Sequence, residues 1–182
     1  ENTMRNNKTR QVALSGLLFA LAMALSFMES AITPLLGLIP GVKIGLANIV
    51  VMYALFFMGF PQALTLNLLK AFFVGLTRGV TAGLLSLSGG LVSLLVMWAL
   101  YKLPRRPTWF ILSVCGALGH NIGQLIAASF LLSSALALTY APIMIIFGLG
   151  MGFVTSSSLA ALLPALGKMG FSTDPRAPRK NS

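Results

Sequence analysis

The side chains able to do chemistry in this 182-residue sequence are few enough to name. There is one histidine, His120, one cysteine, Cys115, and three acids, Glu1, Glu29 and Asp174. A haem held by two histidines, a multi-cysteine metal or iron–sulfur centre, paired-carboxylate catalysis and a carboxylate metal cluster are therefore excluded within one chain. Cys115 lies in an apolar run and reads as a small buried hydrophobe. No metal or cofactor is expected. Among the 13 Lys and Arg residues, Lys43, Lys70 and Arg78 stand out because they border or interrupt apolar runs. An ammonium at the depth of Lys70 costs about 3 kcal/mol on insertion scales, so it calls for an interior position and a partner. Glu29 is the acid available to it. Three cations against one carboxylate leave an excess that a ligand bearing carboxylate or phosphate would balance.

Spacing groups these residues. Asn67, Lys70 and Arg78 are separated by three and eight positions. At about 100° per residue Arg78 returns to within about 20° of Asn67, with Lys70 about 60° to one side. Lys70 and Arg78 are about 12 Å apart along such a helix, a span that a polar head group entering between them could bridge. Ser113, His120 and Gln124 follow a spacing of seven and four, with Asn121 beside them, and make a second polar stripe. Asn48 adds an amide near Lys43. The alternatives are plainer: Lys43 and Arg78 could snorkel to head groups, and His120, Asn121 and Gln124 could be hydrogen-bonding glue between helices.

The elements that must carry these residues follow from composition. Hydrophobic residues make up 57% of the chain and charged ones 9%, too few to coat a soluble domain of this size. A net charge of +10 would suggest nucleic acid in a soluble protein, but here the cations punctuate apolar runs and form no stripe, so no nucleic-acid partner is expected. Against a ruler of about 20 apolar residues per crossing, six spans are predicted: 11–28, 44–58, 62–77, 80–101, 108–132 and 142–166. Gly59-Phe60-Pro61 turns the second into the third, and Arg78-Gly79 breaks the third from the fourth. Ten cations gather on one side: Arg5, Lys8 and Arg10, then Lys102, Arg105 and Arg106, then Lys168, Arg176, Arg179 and Lys180. Lys and Arg are retained in the cytoplasm during insertion, so both termini are predicted cytoplasmic. The expected organisation is a tail over 1–10, an all-α six-helix membrane bundle over 11–167, and a basic tail over 168–182. Residues 1–3 precede Met4 and are left out of the fold reasoning.

Small residues supply the packing expectation. Gly16, Ala20 and Ala24 recur every fourth position, as do Gly119 and Gly123, and Gly148 and Gly152, which reads as close helix approach inside the bundle. Ser86, Ser88, Gly89, Gly90 and Ser93 predict a fourth span that is thinned or locally irregular beside a cavity. The apolar stretch from Glu29 to Lys43, with Pro34, Gly37, Pro40 and Gly41, is expected to act as a lid over an outward-facing site.

The run Gly41-Val42-Lys43-Ile44-Gly45-Leu46-Ala47-Asn48, the Lys70 to Gly79 region and the Ser86 to Gly90 segment resemble the Gx transporter family, also labelled heptaprenyl diphosphate synthase component I. That family is similar in architecture to the S components of energy-coupling factor (ECF) vitamin transporters. The resemblance implies six helices in a bacterial inner membrane and an externally accessible pocket capped by the loop after helix one. It also implies that Gly16, Ala20 and Ala24 form a face docking onto a transmembrane coupling subunit driven by an ATPase pair. The substrate-binding set would be Lys43, Asn48, Asn67, Lys70, Arg78, His120, Asn121 and Gln124, taking a small anionic or amphipathic metabolite. The second family label implies prenyl diphosphate chemistry, which uses aspartate-rich Mg²⁺ sites; this chain has one Asp, in its tail. It also has no Walker sequence and no Ser-Gly-Ala-Thr flavin-attachment signature. The chain is therefore expected not to be an enzyme. The rival expectation is a non-catalytic membrane subunit or scaffold for prenyl diphosphate or quinone synthesis, or for quinone-linked electron transfer.

Overall fold

Lipid offers no water to satisfy a backbone amide, so an apolar chain crossing it must bond to itself. The structure, a computed structural model, describes residues 2–35, 45–104, 107–132 and 141–168, and among these it is helical with no strand. Among the described residues there are six α-helices: α1 (Asn2–Leu35), α2 (Leu46–Tyr53), α3 (Phe60–Arg78), α4 (Val80–Tyr101), α5 (Trp109–Leu132) and α6 (Ala141–Lys168). Residues 2–10, expected as a tail, continue α1 as helix. Among the described residues, three segments are long and apolar enough to cross a membrane: Val12–Ile32, Val80–Tyr101 and Trp109–Leu131. Leu46–Met58 and Ile145–Ala161 are shorter apolar stretches. Asn67, Lys70 and Arg78 lower the apolar content of α3, which runs for 19 residues.

Chain reversals are tight and glycine-dependent. Gly59 has φ +116° and Gly79 φ +94°, conformations that a side chain disfavours. Gly79 alone links α3 to α4, and its N–H closes the last turn onto the Gly75 carbonyl at 3.1 Å. Pro61, in the first turn of α3, lacks an N–H where none is needed. Before Gly59, α2 widens into a π-helical turn over Ala54–Met58, and the Gly59 N–H reaches back five residues to the Ala54 carbonyl at 2.9 Å.

α4 is continuous helix throughout, so its small, polar centre does not make it irregular. Those residues instead let neighbours approach. A Cβ at Gly83 would stand 2.8 Å from the Gly75 Cα, and one at Gly123 would stand 2.7 Å from the Ser88 carbonyl. Ser88 Oγ donates to the Gly123 carbonyl at 2.7 Å and Ser113 Oγ to the Gly152 carbonyl at 2.9 Å, tying α4 to α5 and α5 to α6. Gly123, Gly148 and Gly152 are likewise closed in by neighbouring helices. Gly16, Ala20 and Ala24 are not: all three are exposed, and nothing lies within 4 Å of a Cβ built on Gly16. The expectation that this stripe packs inside the bundle is corrected. It faces outward because Leu18, Ala22 and Ser26, on the opposite side of α1, take the interior positions.

At one end of the bundle, aromatic rings join four elements. Phe56 contacts Tyr101 (5.2 Å between centroids) and Trp109 (5.1 Å), Tyr53 stacks on Phe57 (4.6 Å), and Phe60 meets Trp98 (5.2 Å). The polarity of the whole is inverted relative to a soluble protein. Phe72, Leu76, Phe130, Ile146 and Phe153 are exposed, while Glu29, Asn67, Lys70, Ser93, His120 and Gln124 are buried. That distribution suits a surface solvated by lipid and an interior reserved for polar groups.

Candidate functional site

α3 carries the most demanding residue of the interior. Lys70 is 3% exposed, and its Nζ donates to Asn48 Oδ1 at 2.8 Å. Asn48 is set by the start of α2, where its N–H bonds to the Gly45 carbonyl at 2.9 Å. Gly45 is left-handed, at φ +81°, and a Cβ there would come within 3.3 Å of the Asn48 amide nitrogen. The Gly45 N–H donates to Glu29 Oε1 at 2.6 Å, so a buried carboxylate from α1 anchors the amino end of α2, where the helix dipole favours negative charge. One buried acid, one buried cation and one amide thus tie α1, α2 and α3 together.

The other amides gather around the α4 glycines. Asn67, one turn before Lys70, is fully buried against Gly90, where any Cβ would overlap its side-chain amide. His120 and Gln124 on α5 are buried against Gly89, where a Cβ would meet the Gln124 Cγ at 2.7 Å and the His120 Cε1 at 2.9 Å. Asn67 Oδ1, Asn67 Nδ2 and Gln124 Oε1 are buried without a hydrogen-bond partner. Leaving such groups unpaired costs about 1–3 kcal/mol each, a standing demand for a polar guest or water. Asn121 turns the other way, toward α6, and a Cβ at Gly148 would reach its Nδ2 at 2.7 Å.

Between these groups lies a cavity of about 20 Å³, bordered by Asn48, Ser93, Ser113, His120, Asn121 and Thr155 and by the side chains of Met52, Met97 and Met151. It has room for about one water. Of the residues expected at the site, Asn48, His120 and Asn121 line this cavity; Lys70 reaches it through Asn48; Asn67 and Gln124 are buried against α4. Arg78 is not with them. It is the last residue of α3 and exposed, because helical azimuth aligns it with Asn67 while about 16 Å of rise carries it to the helix end. Lys43, and residues 36–44 of the expected lid, lie outside the described residues. Thr155 and the three methionines escaped the sequence reading because single polar or sulfur atoms in apolar runs carry no spacing signal.

The sequence model of a family described as heptaprenyl diphosphate synthase component I matches residues 18–162, which takes in every residue of this interior. No curated protein and no solved structure matches the chain.

Proposed function

This chain belongs to the heptaprenyl diphosphate synthase component I family, a membrane component whose description implies action with another subunit, and from that premise we propose that it is a substrate-binding subunit for uptake of a small anionic or amphipathic metabolite. In this reading it works in the manner of an ECF S component, in a bacterial inner membrane, with both termini cytoplasmic. The observation that carries the reading is Lys70, a buried ammonium in the middle of α3 whose Nζ donates to Asn48 Oδ1. An ionisable side chain inside a membrane bundle is costly to keep and marks a substrate or ion path. Asn67 and Gln124 supply unspent donors and acceptors nearby, and Asn48, His120 and Asn121 line the adjoining space.

The physical sequence is binding, then release by a partner. A carboxylate or phosphate meets Lys70, displacing it from Asn48 or sharing it, while the amides and His120 orient the remainder of the guest. Closure over the guest removes water and strengthens each of these contacts. Release needs work that the chain has no motif to supply, so a coupling subunit with an ATPase pair reorients it. The exposed Gly16, Ala20 and Ala24 face supports that partner, because small side chains let a foreign helix approach closely. The chain is read as non-catalytic. In detergent, a panel of carboxylate and phosphate metabolites is expected to include one that raises the melting temperature of the wild type. Lys70→Met is expected to abolish that rise; an unchanged rise in the variant removes Lys70 from the site.

The family description favours a second reading, a membrane scaffold for prenyl diphosphate synthesis. Copurification of a prenyl chain together with a soluble synthase, and no association with an ATPase module, would select it.

A further inference from the structure

The aromatic end of the bundle holds a cleft of about 510 Å³, bordered by Leu55, Phe60, Pro61, Trp98, Tyr101 and Lys102. Lys102 is exposed, and its Nζ stands 4.0 Å from the centroid of the Trp98 ring, so its position is fixed over an aromatic floor. In the sequence no Asp or Glu occurs between Glu29 and Asp174, while Arg105 and Arg106 follow Lys102 within four residues. A second cleft, of about 210 Å³, lies between α1 and α3 and shares Pro61 with the first as a lining residue; Leu18, Phe19, Met58, Leu66 and Leu69 line it, with Ser15, Gln62 and Thr65 among them. Pro61 and Leu69 are both exposed, so the groove opens onto the outer surface of the bundle. From Pro61 to Leu69 it follows α3 for about 12 Å, a length of hydrocarbon rather than of a head group.

A cation on an aromatic floor at the mouth, leading into an apolar groove, fits a molecule with a phosphate head and a hydrocarbon tail. We propose that these neighbouring clefts, with Pro61 common to both, are a binding site for an anionic phospholipid, its phosphate against Lys102 and one acyl chain along α3 from Pro61 to Leu69. Basic pockets between membrane helices take anionic head groups by the same physics. Entry from the lipid side favours a bilayer lipid over a dissolved phosphate ester. The site is separate from the cavity around Lys70 and stands whether or not that cavity binds a metabolite.

Both tryptophans of the chain, Trp98 and Trp109, belong to this aromatic cluster, so intrinsic fluorescence reports on it alone. Delipidated full-length protein in a neutral detergent is titrated with phosphatidylglycerol, phosphatidylcholine, farnesyl diphosphate and inorganic phosphate. The expected result is a saturable fluorescence change with phosphatidylglycerol, at least about fivefold tighter than with phosphatidylcholine, weakened about fivefold in Lys102→Met and kept in Lys102→Arg. Equal response to the two phospholipids, preference for farnesyl diphosphate, or a response to inorganic phosphate alone overturns the assignment. The comparison of lipids on the wild type decides the matter even where Lys102→Met fails to fold.

Discussion

Substituting Gly83 by alanine tests whether the α3–α4 crossing sets the interior geometry. The added Cβ would lie 2.8 Å from the Gly75 Cα, 3.1 Å from the Gly75 nitrogen and 3.2 Å from the Ala71 carbonyl oxygen. All three are backbone atoms, so no side chain can rotate away. Ordinary contact begins near 3.4 Å, which requires the helices to part by about 0.6 Å at their closest point. Overpacking of this kind costs about 1–3 kcal/mol, and for a chain of this size 2 kcal/mol lowers the melting temperature by about 4–8 °C. The reciprocal substitution is a built-in control, because a Cβ at Gly75 would stand 3.7 Å from the Gly83 Cα and is accommodated. Thermal unfolding in one detergent should therefore separate Gly83→Ala, clearly destabilised, from Gly75→Ala, near wild type. Parting the helices also displaces Ala71 and its neighbour Lys70, so Gly83→Ala should weaken metabolite-induced stabilisation as well. Equal melting temperatures for the two alanine variants would refute the reasoning.

Asn67→Leu removes two buried polar atoms that lack partners, so the unliganded protein is expected to melt about 1–3 kcal/mol higher while losing metabolite-induced stabilisation, both read from one thermal-shift series. Glu29→Ala deletes the acceptor of the Gly45 N–H and is expected to destabilise by at least about 1 kcal/mol, measured by thermal unfolding. Gly16→Leu and Ala24→Leu, on the exposed face of α1, should leave the melting temperature of the isolated chain within about 0.5 kcal/mol of wild type while reducing recovery of a coupling subunit in affinity purification; retained recovery would take that face out of the docking surface.

Legibility of the molecule in its sequence follows the strength of each local signal. Long apolar runs and glycine breaks placed α4 and α5 nearly to the residue, because a continuous apolar run and a positive-φ glycine each admit few alternatives. The cost of a mid-span ammonium marks Lys70 as an interior residue, and the scarcity of acids leaves Glu29 as the one available to it; the bond to Asn48 was not legible, since the sequence places that amide only near Lys43. Arg78 shows where periodicity fails: azimuth repeats along a helix, but depth does not. The orientation of the Gly16, Ala20 and Ala24 stripe was illegible for a related reason, since a small-residue motif permits close approach without naming the neighbour. The π-helical turn at Ala54–Met58 has no compositional signature; it comes from fitting the end of α2 to the turn at Gly59.

The one-residue joint at Gly79 makes α3 and α4 a stiff hairpin, and the glycine and serine contacts weld α5 and α6 onto it, giving a slab with little freedom to breathe. α1 and α2 meet this slab through fewer neighbours. On the proposed function, a guest bound for Lys70 is expected to enter by the α1–α2 side, with the slab as the fixed frame. A covalent clamp between α4 and α5 should leave uptake intact, and one between α1 and α3 should stop it.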